Sequence, residues 1–427
     1  MNILKRGKFL YTFYISFFAA LLQLSFAQSV PPAPLSRFGL GDEGRAGTVR
    51  NLAMGGTGIA TNETNLISIL NPASLGGSRL TLVDGSIRYQ ARSVSIGEAS
   101  QFNRSGNIGY LFASIPVSPT WNTILGFNSG GEVSYEYFDR IPIVGTPNFT
   151  IREISGEGNL NNLNLINGFK INKKLKIGLE AKYTFGSLFY VDTYRADIPG
   201  NGLLKTSIVV RNRYNLLTLR TGALYSIPLT GVVPRVFNIG LTVDGGASLQ
   251  TKQFKVSEQV SVRDNFFADL NDTISFREGA QVQLAPRVGL GLSYQKEGSY
   301  ILSMDVFHQQ WSRYRNDLRP ETFKNTVGIA LGASWVPSIS GNLFKRTAYR
   351  IGFHAEQKPI VIDNQRVNDL GISFGFSLPV DKTSKLNVSA IFGRRGANST
   401  IPIFEEYIQI NLGYSITDRW FVRFRED

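Results

Sequence analysis

Side chains that could perform acid–base or metal chemistry are few in this chain. It has two histidines, His308 and His354, and no cysteine among its 427 residues. A serine–histidine hydrolase would need one of these histidines as its base, and neither lies in a recognisable nucleophile motif. The lack of cysteine excludes thiolate metal sites, disulfides and a lipoprotein anchor. The sequence therefore predicts no catalytic residue, no metal site, no cofactor and no enzymatic activity.

Charged side chains that alternate with apolar ones are more informative. Eight of them occupy the positions between the apolar residues of their segment, and so belong to its polar face: Glu180, Lys182, Arg220, Arg287, Asp305, Arg350, Glu356 and Asp369. Inside a low-dielectric interior such charges should pair with one another or with Asp42 and Arg45, because an unpaired buried charge is costly. Alternatively, a cation among Lys182, Arg220, Arg287 and Arg350 could receive the carboxylate of a ligand. Both interpretations stay open.

The segments that carry these charges have the period of β-strands. In residues 175–186 every second residue is apolar, and the same alternation recurs at 288–294, 327–335, 370–378 and 408–416. Because successive strand side chains point to opposite faces, each segment has one apolar and one polar face. A soluble β-sandwich alternates in the same way, so the connectors and strand lengths must decide.

Fourteen strand-like stretches fit between residues 80 and 416, and their connectors alternate short and long. Compact joins are predicted at 118–120, 172–174, 229–233, 296–298 and 380–383, with one longer join at 337–346. Long outer loops are predicted at 93–105, 136–157, 193–210 and 252–280, and shorter ones follow Arg315, Lys358 and Arg394. Outer-membrane barrels have tight periplasmic turns and longer outer loops. We therefore expect an all-β fold, a transmembrane antiparallel β-barrel of about 14 strands over residues 80–427.

The first 27 residues have the pattern of an export signal. Lys5, Arg6 and Lys8 precede an apolar run over 9–24, and Ser25-Phe26-Ala27 ends it. This pattern predicts a signal peptide cleaved after Ala27, although an uncleaved anchor helix is the alternative. The net charge of +13 comes from scattered Lys and Arg without a nucleic-acid motif. It favours attraction to lipopolysaccharide or acidic ligands and no nucleic-acid partner.

Residues 28–79 precede the first strand and lack its alternation. Fourteen strands enclose a lumen too wide for side chains alone to fill, so the barrel conducts water or holds a plug. We predict that residues 28–79 form a hatch inside the lumen. It contains the motif residues Met54, Gly55, Gly56, Asn71, Pro72 and Ala73. Glycines allow sharp turns in a confined space, and Asn-Pro fixes a turn at the entry to the wall.

These two motifs, placed after a signal peptide and before an alternating barrel, resemble the hatch of the FadL/OmpP1/TodX outer-membrane transporters, which have fourteen strands. Residues 418–422 are similar to the ending of Bacteroidetes members, whereas Arg425-Glu426-Asp427 departs from the usual terminal aromatic. The resemblance implies localisation in the bacterial outer membrane and passive, channel-like uptake of hydrophobic small molecules such as long-chain fatty acids.

The resemblance also implies a lateral gap where the third strand is kinked. The third predicted strand, 121–135, contains Asn128, Ser129, Gly130 and Gly131. Two glycines within a strand often mark a bulge, and the alternative is that they begin an outer loop.

PorV-like secretion components are members of the superfamily that this chain resembles, and they share the hatch motif. A second hypothesis is therefore a non-conducting barrel that serves secretion or surface-assembly machinery. The partners implied are outer-membrane lipid and lipopolysaccharide, a hydrophobic ligand, the barrel-assembly machinery and secretion-system proteins. The sequence leaves the choice between transporter and accessory open.

Overall fold

The computed structural model describes residues 33–418, apart from short gaps at 64–65, 79, 144, 146–147, 199–201, 230–234, 249–250, 264–265, 297, 382, 399 and 401. The predicted signal peptide, residues 28–32 of the predicted hatch and the terminal residues 419–427 lie outside the described residues. No helix in the described part is long and apolar enough to cross a membrane.

Fourteen antiparallel strands form the wall of a closed barrel. They are β1 (Thr81–Ile96), β2 (Ala99–Ser118), β3 (Trp121–Pro142), β4 (Phe149–Lys170), β5 (Leu175–Ile198), β6 (Gly202–Leu229), β7 (Arg235–Ser248), β8 (Arg287–Lys296), β9 (Tyr300–Gln309), β10 (Thr326–Trp335), β11 (Ala348–Ile362), β12 (Gln365–Pro379), β13 (Ser384–Ala397) and β14 (Ile403–Asp418). Each pairs with its neighbours in this order.

The barrel closes where β14 pairs with β1, from Ile403 opposite Ile96 to Asp418 opposite Thr81. Between β7 and β8 the chain leaves the wall as an outer hairpin, Thr251–Arg263 and Phe266–Ala280, which pairs with the outer half of β6. β7 and β8 pair directly with each other beneath it. The predicted fourteen-strand barrel is confirmed.

The alternating residues divide between the two faces of the wall as the sequence predicts. In β8, Val288, Leu290 and Leu292 are exposed on the outer face, whereas the residues between them are turned inward. Since a transmembrane barrel presents an apolar band to lipid, these exposed side chains are solvated by hydrocarbon instead of water.

The predicted long outer loops are wrong in one respect, because most of their residues are strand. The join within predicted loop 93–105 is a turn at Gly97 and Glu98, and predicted loops 136–157, 193–210 and 252–280 are largely β-structure. These segments extend beyond the apolar band, so neither of their faces needs to be apolar. The alternation on which the sequence prediction depends is therefore absent there.

The other elements are short. They are the helices α1 (Val49–Ala53) and α2 (Leu343–Arg346), the 3-10 turns Pro34–Arg37, Pro72–Leu75 and Trp311–Arg313, and the two-residue strands Asp42–Glu43, Val282–Gln283 and Arg315–Asn316. Val282–Gln283 pairs with Arg315–Asn316. This pairing joins the connection that leads into β8 to the connection that follows β9.

Residues 33–78, which we call the N-terminal segment, lie against the inward faces of the wall. Helix α1 packs on β11, β12, β13 and β14, and the turn Pro72–Leu75 packs on β4, β5 and β6. The segment therefore contacts opposite sides of the barrel.

Candidate functional site

The glycine motif brings the N-terminal segment into backbone contact with the wall. Gly55 has φ +70°, and its amide donates a hydrogen bond to Ser373 Oγ in β12 (2.9 Å). A Cβ added to Gly352 of β11 would lie only 1.9 Å from the Gly55 nitrogen. Glycine is therefore required on both sides of this contact, because any side chain would push the segment off the wall.

The asparagine–proline motif forms a second attachment. Asn71 is fully buried, and its Nδ2 donates to the carbonyls of Ile59 (2.7 Å) and of Ala223 in β6 (3.1 Å). Its Oδ1 accepts from the Ala73 amide (3.0 Å) and so caps the turn Pro72–Leu75. One side chain thus ties the turn, the preceding loop and the wall together.

Asp305 of β9 supplies a third attachment and is 97% buried. Its Oδ2 accepts hydrogen bonds from the amides of Gly58 (2.7 Å) and Ile59 (2.9 Å). Charge-assisted hydrogen bonds of this kind are roughly twice as strong as neutral ones. Removing the carboxylate would leave two buried donors without a partner.

Asp42 connects the segment to a buried ion network. It bonds to Arg92 of β1 (2.9 Å) and to Arg395 of β13 (2.8 Å), and these arginines also contact Glu405 and Asp369. Burial would raise the pKa of Asp42, but Arg395 and Arg92 outweigh it and hold the pKa well below its usual range. Asp42 is therefore charged at every physiological pH.

Arg45 makes a similar contact with Glu356 of β11 (3.3 Å). The predicted pairing of Asp42 and Arg45 with charges on the wall is thus seen in the structure. Arg92, Arg395 and Glu405 were missed by sequence reasoning. Continuing the parity of β13 and β14 beyond their apolar stretches would have placed Arg395 and Glu405 on the inward face.

The four candidate cations differ in their surroundings. Arg220 bonds to Asp244 (2.6 Å) and lies 3.2 Å from Glu180, and its Nη1 also donates to the Ile69 carbonyl of the N-terminal segment (3.2 Å). Arg350 donates to Ser377 Oγ (2.6 Å) and has no carboxylate within 4 Å among the described residues. Arg220 is therefore already neutralised, whereas Arg350 is not.

Lys182 and Arg287 line a cavity on the outer side of the N-terminal segment, with a volume of about 280 Å³. The Arg287 guanidinium lies 3.8 Å from the centre of the Phe307 ring. Neither cation has a carboxylate within 4 Å in the described part of the chain. The same cavity has an apolar portion formed by Leu284, Phe307, Trp311, Tyr314 and Phe323. It combines an apolar surface with two cations that have no direct carboxylate contact in the described residues, although Asp244 and Glu356 also line it.

The outer loop between β9 and β10 covers this cavity. Trp311 and Tyr314 pack against the Phe323 ring, with centroid distances of 5.5 Å and 5.3 Å. Glu321 Oε2 accepts from the Gly39 amide of the N-terminal segment (2.7 Å). The loop is therefore fixed to the segment as well as to the wall.

The wall is interrupted between β2 and β3. The two strands pair from Ser118 opposite Trp121 to Tyr110 opposite Asn128. Beyond Asn128, the described part of β3 pairs with β4 up to Pro142, while β2 pairs with β1 up to Ala99. We call this unpaired stretch between β2 and β3 the seam.

The predicted glycine pair lies at the beginning of the seam. The register of β3 with β4 shifts between Ser129 and Glu132, so Gly130 and Gly131 form a bulge within the strand. The alternative prediction, that these glycines begin an outer loop, is wrong. The strand Asp42–Glu43 pairs with Glu132 and Gly131 at this edge, and a Cβ on Gly131 would lie 2.1 Å from the Leu40 carbonyl oxygen.

The seam and the cavity are neighbours. Asp42 and Glu43, which pair with β3 at the seam, also line the cavity. Across the seam, Asn107 Nδ2 of β2 donates to Glu132 Oε2 of β3 at 3.5 Å, the limit for a hydrogen bond. The arrangement is one in which a space inside the barrel adjoins a break in its wall.

The histidines occupy the faces that their parity predicts. His308 is exposed on the outer face near the end of β9. His354 is buried, with Nε2 3.3 Å from the Tyr407 hydroxyl and 3.7 Å from Asp369. In the described residues neither histidine has a hydrogen bond to a serine hydroxyl. No group of three metal-binding side chains is found among them either.

Comparison with known proteins places the chain in a family. A family model described as BamG matches residues 9–427. The chain belongs to the BamG family. No curated protein matches the sequence.

The solved structures that resemble this BamG-family barrel share its architecture at low sequence identity. The CymD monoaromatic hydrocarbon channel is 13% identical with a TM-score of 0.56, over 88% of this chain and 98% of CymD. The toluene transporter TodX of P. putida is 14% identical with a TM-score of 0.55, over 90% of this chain and 100% of TodX. A FadL homologue of Pseudomonas aeruginosa is 11% identical with a TM-score of 0.58, over 88% and 98%. Likeness at this identity establishes the fold.

Proposed function

We propose that this protein is a passive outer-membrane channel for hydrophobic small molecules, with long-chain fatty acids as the expected substrates. The observation that carries the proposal is the position of the seam beside the cavity, with Asp42 and Glu43 belonging to both. A solute held in the cavity would need to displace only the N-terminal segment's edge strand to reach the surface of the barrel. Hydrophobic solutes would leave sideways into lipid and need no water-filled pore.

The lining of the cavity suggests how a fatty acid would be oriented. Lys182 and Arg287 lack carboxylate partners in the described part of the chain and could receive the head group. Trp311, Tyr314 and Phe323 would contact the alkyl chain. The hatch motif residues would hold the N-terminal segment as a plug, so that transport follows the concentration gradient and capture on the inner side.

The structural neighbours support the same class of solute. CymD is described as a monoaromatic hydrocarbon channel and TodX as a toluene transporter. A fatty acid needs the two cations to bind its carboxylate, whereas a neutral hydrocarbon does not. Uptake of labelled oleate and labelled toluene into proteoliposomes therefore separates the two substrates.

The variant Lys182→Gln with Arg287→Gln should slow oleate uptake by about tenfold, because a charge-assisted hydrogen bond contributes roughly 1.5–3 kcal/mol, and should leave toluene uptake unchanged. The matched control is Lys173→Gln with Lys174→Gln, in the exposed periplasmic turn between β4 and β5. If the unaltered protein takes up neither oleate nor toluene, the channel function is rejected.

A second candidate function is a non-conducting component of barrel-assembly, secretion or surface-assembly machinery. Two observations favour it: membership of the BamG family and the dense ion pairing that joins Asp42 and Arg45 to the wall. Affinity purification of the tagged full chain from outer membranes, with mass spectrometry of both proteins and lipids, distinguishes the two functions. Stoichiometric assembly or secretion proteins support the second, and co-purified free fatty acid supports the first.

A further inference from the structure

A cluster of cations lies on the outer surface of the barrel, away from the cavity and the seam. Arg213 of β6 and Lys252 of the outer hairpin are directly opposite each other in the sheet, and Arg211 lies two residues further along β6. Residues paired in this way share one face, with Cβ atoms about 5 Å apart. We call Arg211, Arg213 and Lys252 the basic patch.

The basic patch is not neutralised by the protein. Arg211 and Arg213 are exposed, and neither has a carboxylate within 4 Å among the described side chains. Lys252 bonds to Glu278 (2.6 Å), which is the patch's one carboxylate contact in that set. Like charges directly opposite each other destabilise a sheet, so an anion bound between Arg213 and Lys252 would stabilise this arrangement.

The register of β5 and β6 fixes the height of the patch. Outward-facing pairs run from Leu175 opposite Tyr225 to Phe185 opposite Asn215, and the next pair contains Arg213. Ten residues of strand tilted as in membrane barrels rise about 25 Å, the height of the apolar band. The Tyr183 hydroxyl donates to Asn215 Oδ1 (3.1 Å), as is typical of an interfacial aromatic. Arg213 and Arg211 therefore lie at the first positions above the hydrocarbon.

Aromatic side chains surround the upper part of the patch. The Arg211 guanidinium lies 5.3 Å from the centre of the Phe189 ring. Phe254 and Phe276 of the outer hairpin pack against each other at 4.5 Å and are exposed beside Arg211. Rings that remain exposed at this height can contact the upper parts of acyl chains and sugar rings.

We propose that the basic patch binds a phosphate group of lipid A in the outer leaflet. Lipid A carries its phosphates immediately above its acyl chains, which is where the register places the three cations. Arginine binds phosphate through two parallel hydrogen bonds, and a second cation adds charge. The inference requires only that the barrel sits in the outer membrane, and it is independent of whether the lumen conducts.

Binding of purified lipid A to the detergent-solubilised full chain tests the proposal, with native mass spectrometry as the readout. The triple variant Arg211→Gln, Arg213→Gln, Lys252→Gln should bind phosphorylated lipid A at least about tenfold more weakly, because the phosphate loses its charge-assisted hydrogen bonds to all three cations. Dephosphorylated lipid A should bind the unaltered protein and the variant equally weakly.

The matched control removes three outer cations elsewhere, by Arg104→Gln, Arg140→Gln and Arg394→Gln, and should retain affinity. Equal loss in patch and control variants, or undiminished binding to the patch variant, would overturn the proposal. An equal loss for phosphatidylglycerol would assign the patch to phospholipid instead and overturn it as well. If the triple variant does not fold, Arg213→Gln alone should still weaken binding by about threefold, since one partner of the phosphate is lost.

Discussion

The two halves of the barrel differ in height and in how they hold the N-terminal segment. On one side β2–β6 are 20 to 28 residues long, whereas β8–β10 have 10 residues each. The short side and β11–β14 fix the segment through Asp305, Gly352 and Ser373. On the tall side the turn Pro72–Leu75 packs on β4–β6 and Asn71 bonds to the Ala223 carbonyl, whereas the strand pairing of the segment with β3 at the seam is two residues long. Buried attachments thus lie on both sides of the barrel, and the opening lies on the tall side.

One segment can therefore stay docked while one edge of it gives way. Attachments at Asp305 and Gly352 involve buried backbone groups, so breaking them leaves unsatisfied donors. Pairing at the seam involves an edge that could exchange its partner. We therefore expect variants at the buried attachments to release the segment, and variants at the seam to alter passage without releasing it.

Asp305→Ala should have the largest effect. Two buried amides, those of Gly58 and Ile59, would lose their acceptor, at a cost of about 3 kcal/mol. In a Thr61→Cys background, this should raise the rate of thiol alkylation about 100-fold, because the undocked population rises by that factor. The chain has no cysteine of its own, so the signal comes from one site. Asp139→Ala, at an exposed position in β3, is the control, and an unchanged alkylation rate in Asp305→Ala would show that the segment is held elsewhere.

Asp42→Asn should have an intermediate effect on docking. We expect a cost of about 2 kcal/mol at neutral pH, because Arg92 and Arg395 keep Glu405 and Asp369 as partners. Alkylation of Ser36→Cys, measured with and without the substitution, reports this difference.

The pH dependence of docking follows from the lowered pKa of Asp42. A carboxylate with a lowered folded-state pKa stabilises the docked form above its ordinary pKa and loses that contribution as pH falls through the folded-state value. The contribution of Asp42 to docking, measured as the difference between the unaltered protein and Asp42→Asn, should therefore be constant from pH 8 to about 5 and fall only in strong acid. A difference that begins to shrink near pH 6 would contradict this assignment.

Gly130→Val with Gly131→Val should have the smallest effect on folding and a specific effect on uptake. The added side chains collide with the Leu40 carbonyl and approach the Leu160 carbonyl, which we expect to close or distort the seam at a cost of about 1–2 kcal/mol. Uptake of hydrophobic solute should fall about tenfold while membrane insertion is retained. The lipid-facing pair Ala181→Val and Ala333→Val should leave uptake unchanged, and normal uptake in the properly inserted glycine variant would remove the gap hypothesis.

The fold was largely predictable because lipid imposes one apolar face on every strand that crosses it. Residues 175–186 show this alternation in full, and β5 begins at Leu175 as expected. Residues 187–198 continue the same strand above the band, where alternation is no longer required, and the sequence predicts 193–198 as loop. The sequence contains no signal for their length.

The site was predictable only where local sequence determines it. The motifs at Met54–Gly56 and Asn71–Ala73 mark contacts made by turns, and Gly130 and Gly131 mark a bulge. The cavity depends on how the loop with Trp311 and Phe323 folds back over the lumen, a contact between distant parts of the chain. Whether Lys182 or Arg220 keeps a free charge depends on pairing across strands, which parity alone does not give.

Bridging the seam tests the proposed lateral route most directly. Asn107→Cys in β2 and Glu132→Cys in β3 place two thiols across it in a protein that has no other cysteine. Joining them with a short bifunctional thiol reagent should stop uptake of hydrophobic solute into proteoliposomes, and cleaving the bridge should restore it. The same reagent across Ser95→Cys and Ser100→Cys, which are paired in the intact β1–β2 ladder, should change nothing. Undiminished uptake by the bridged protein would rule out the lateral route through the seam.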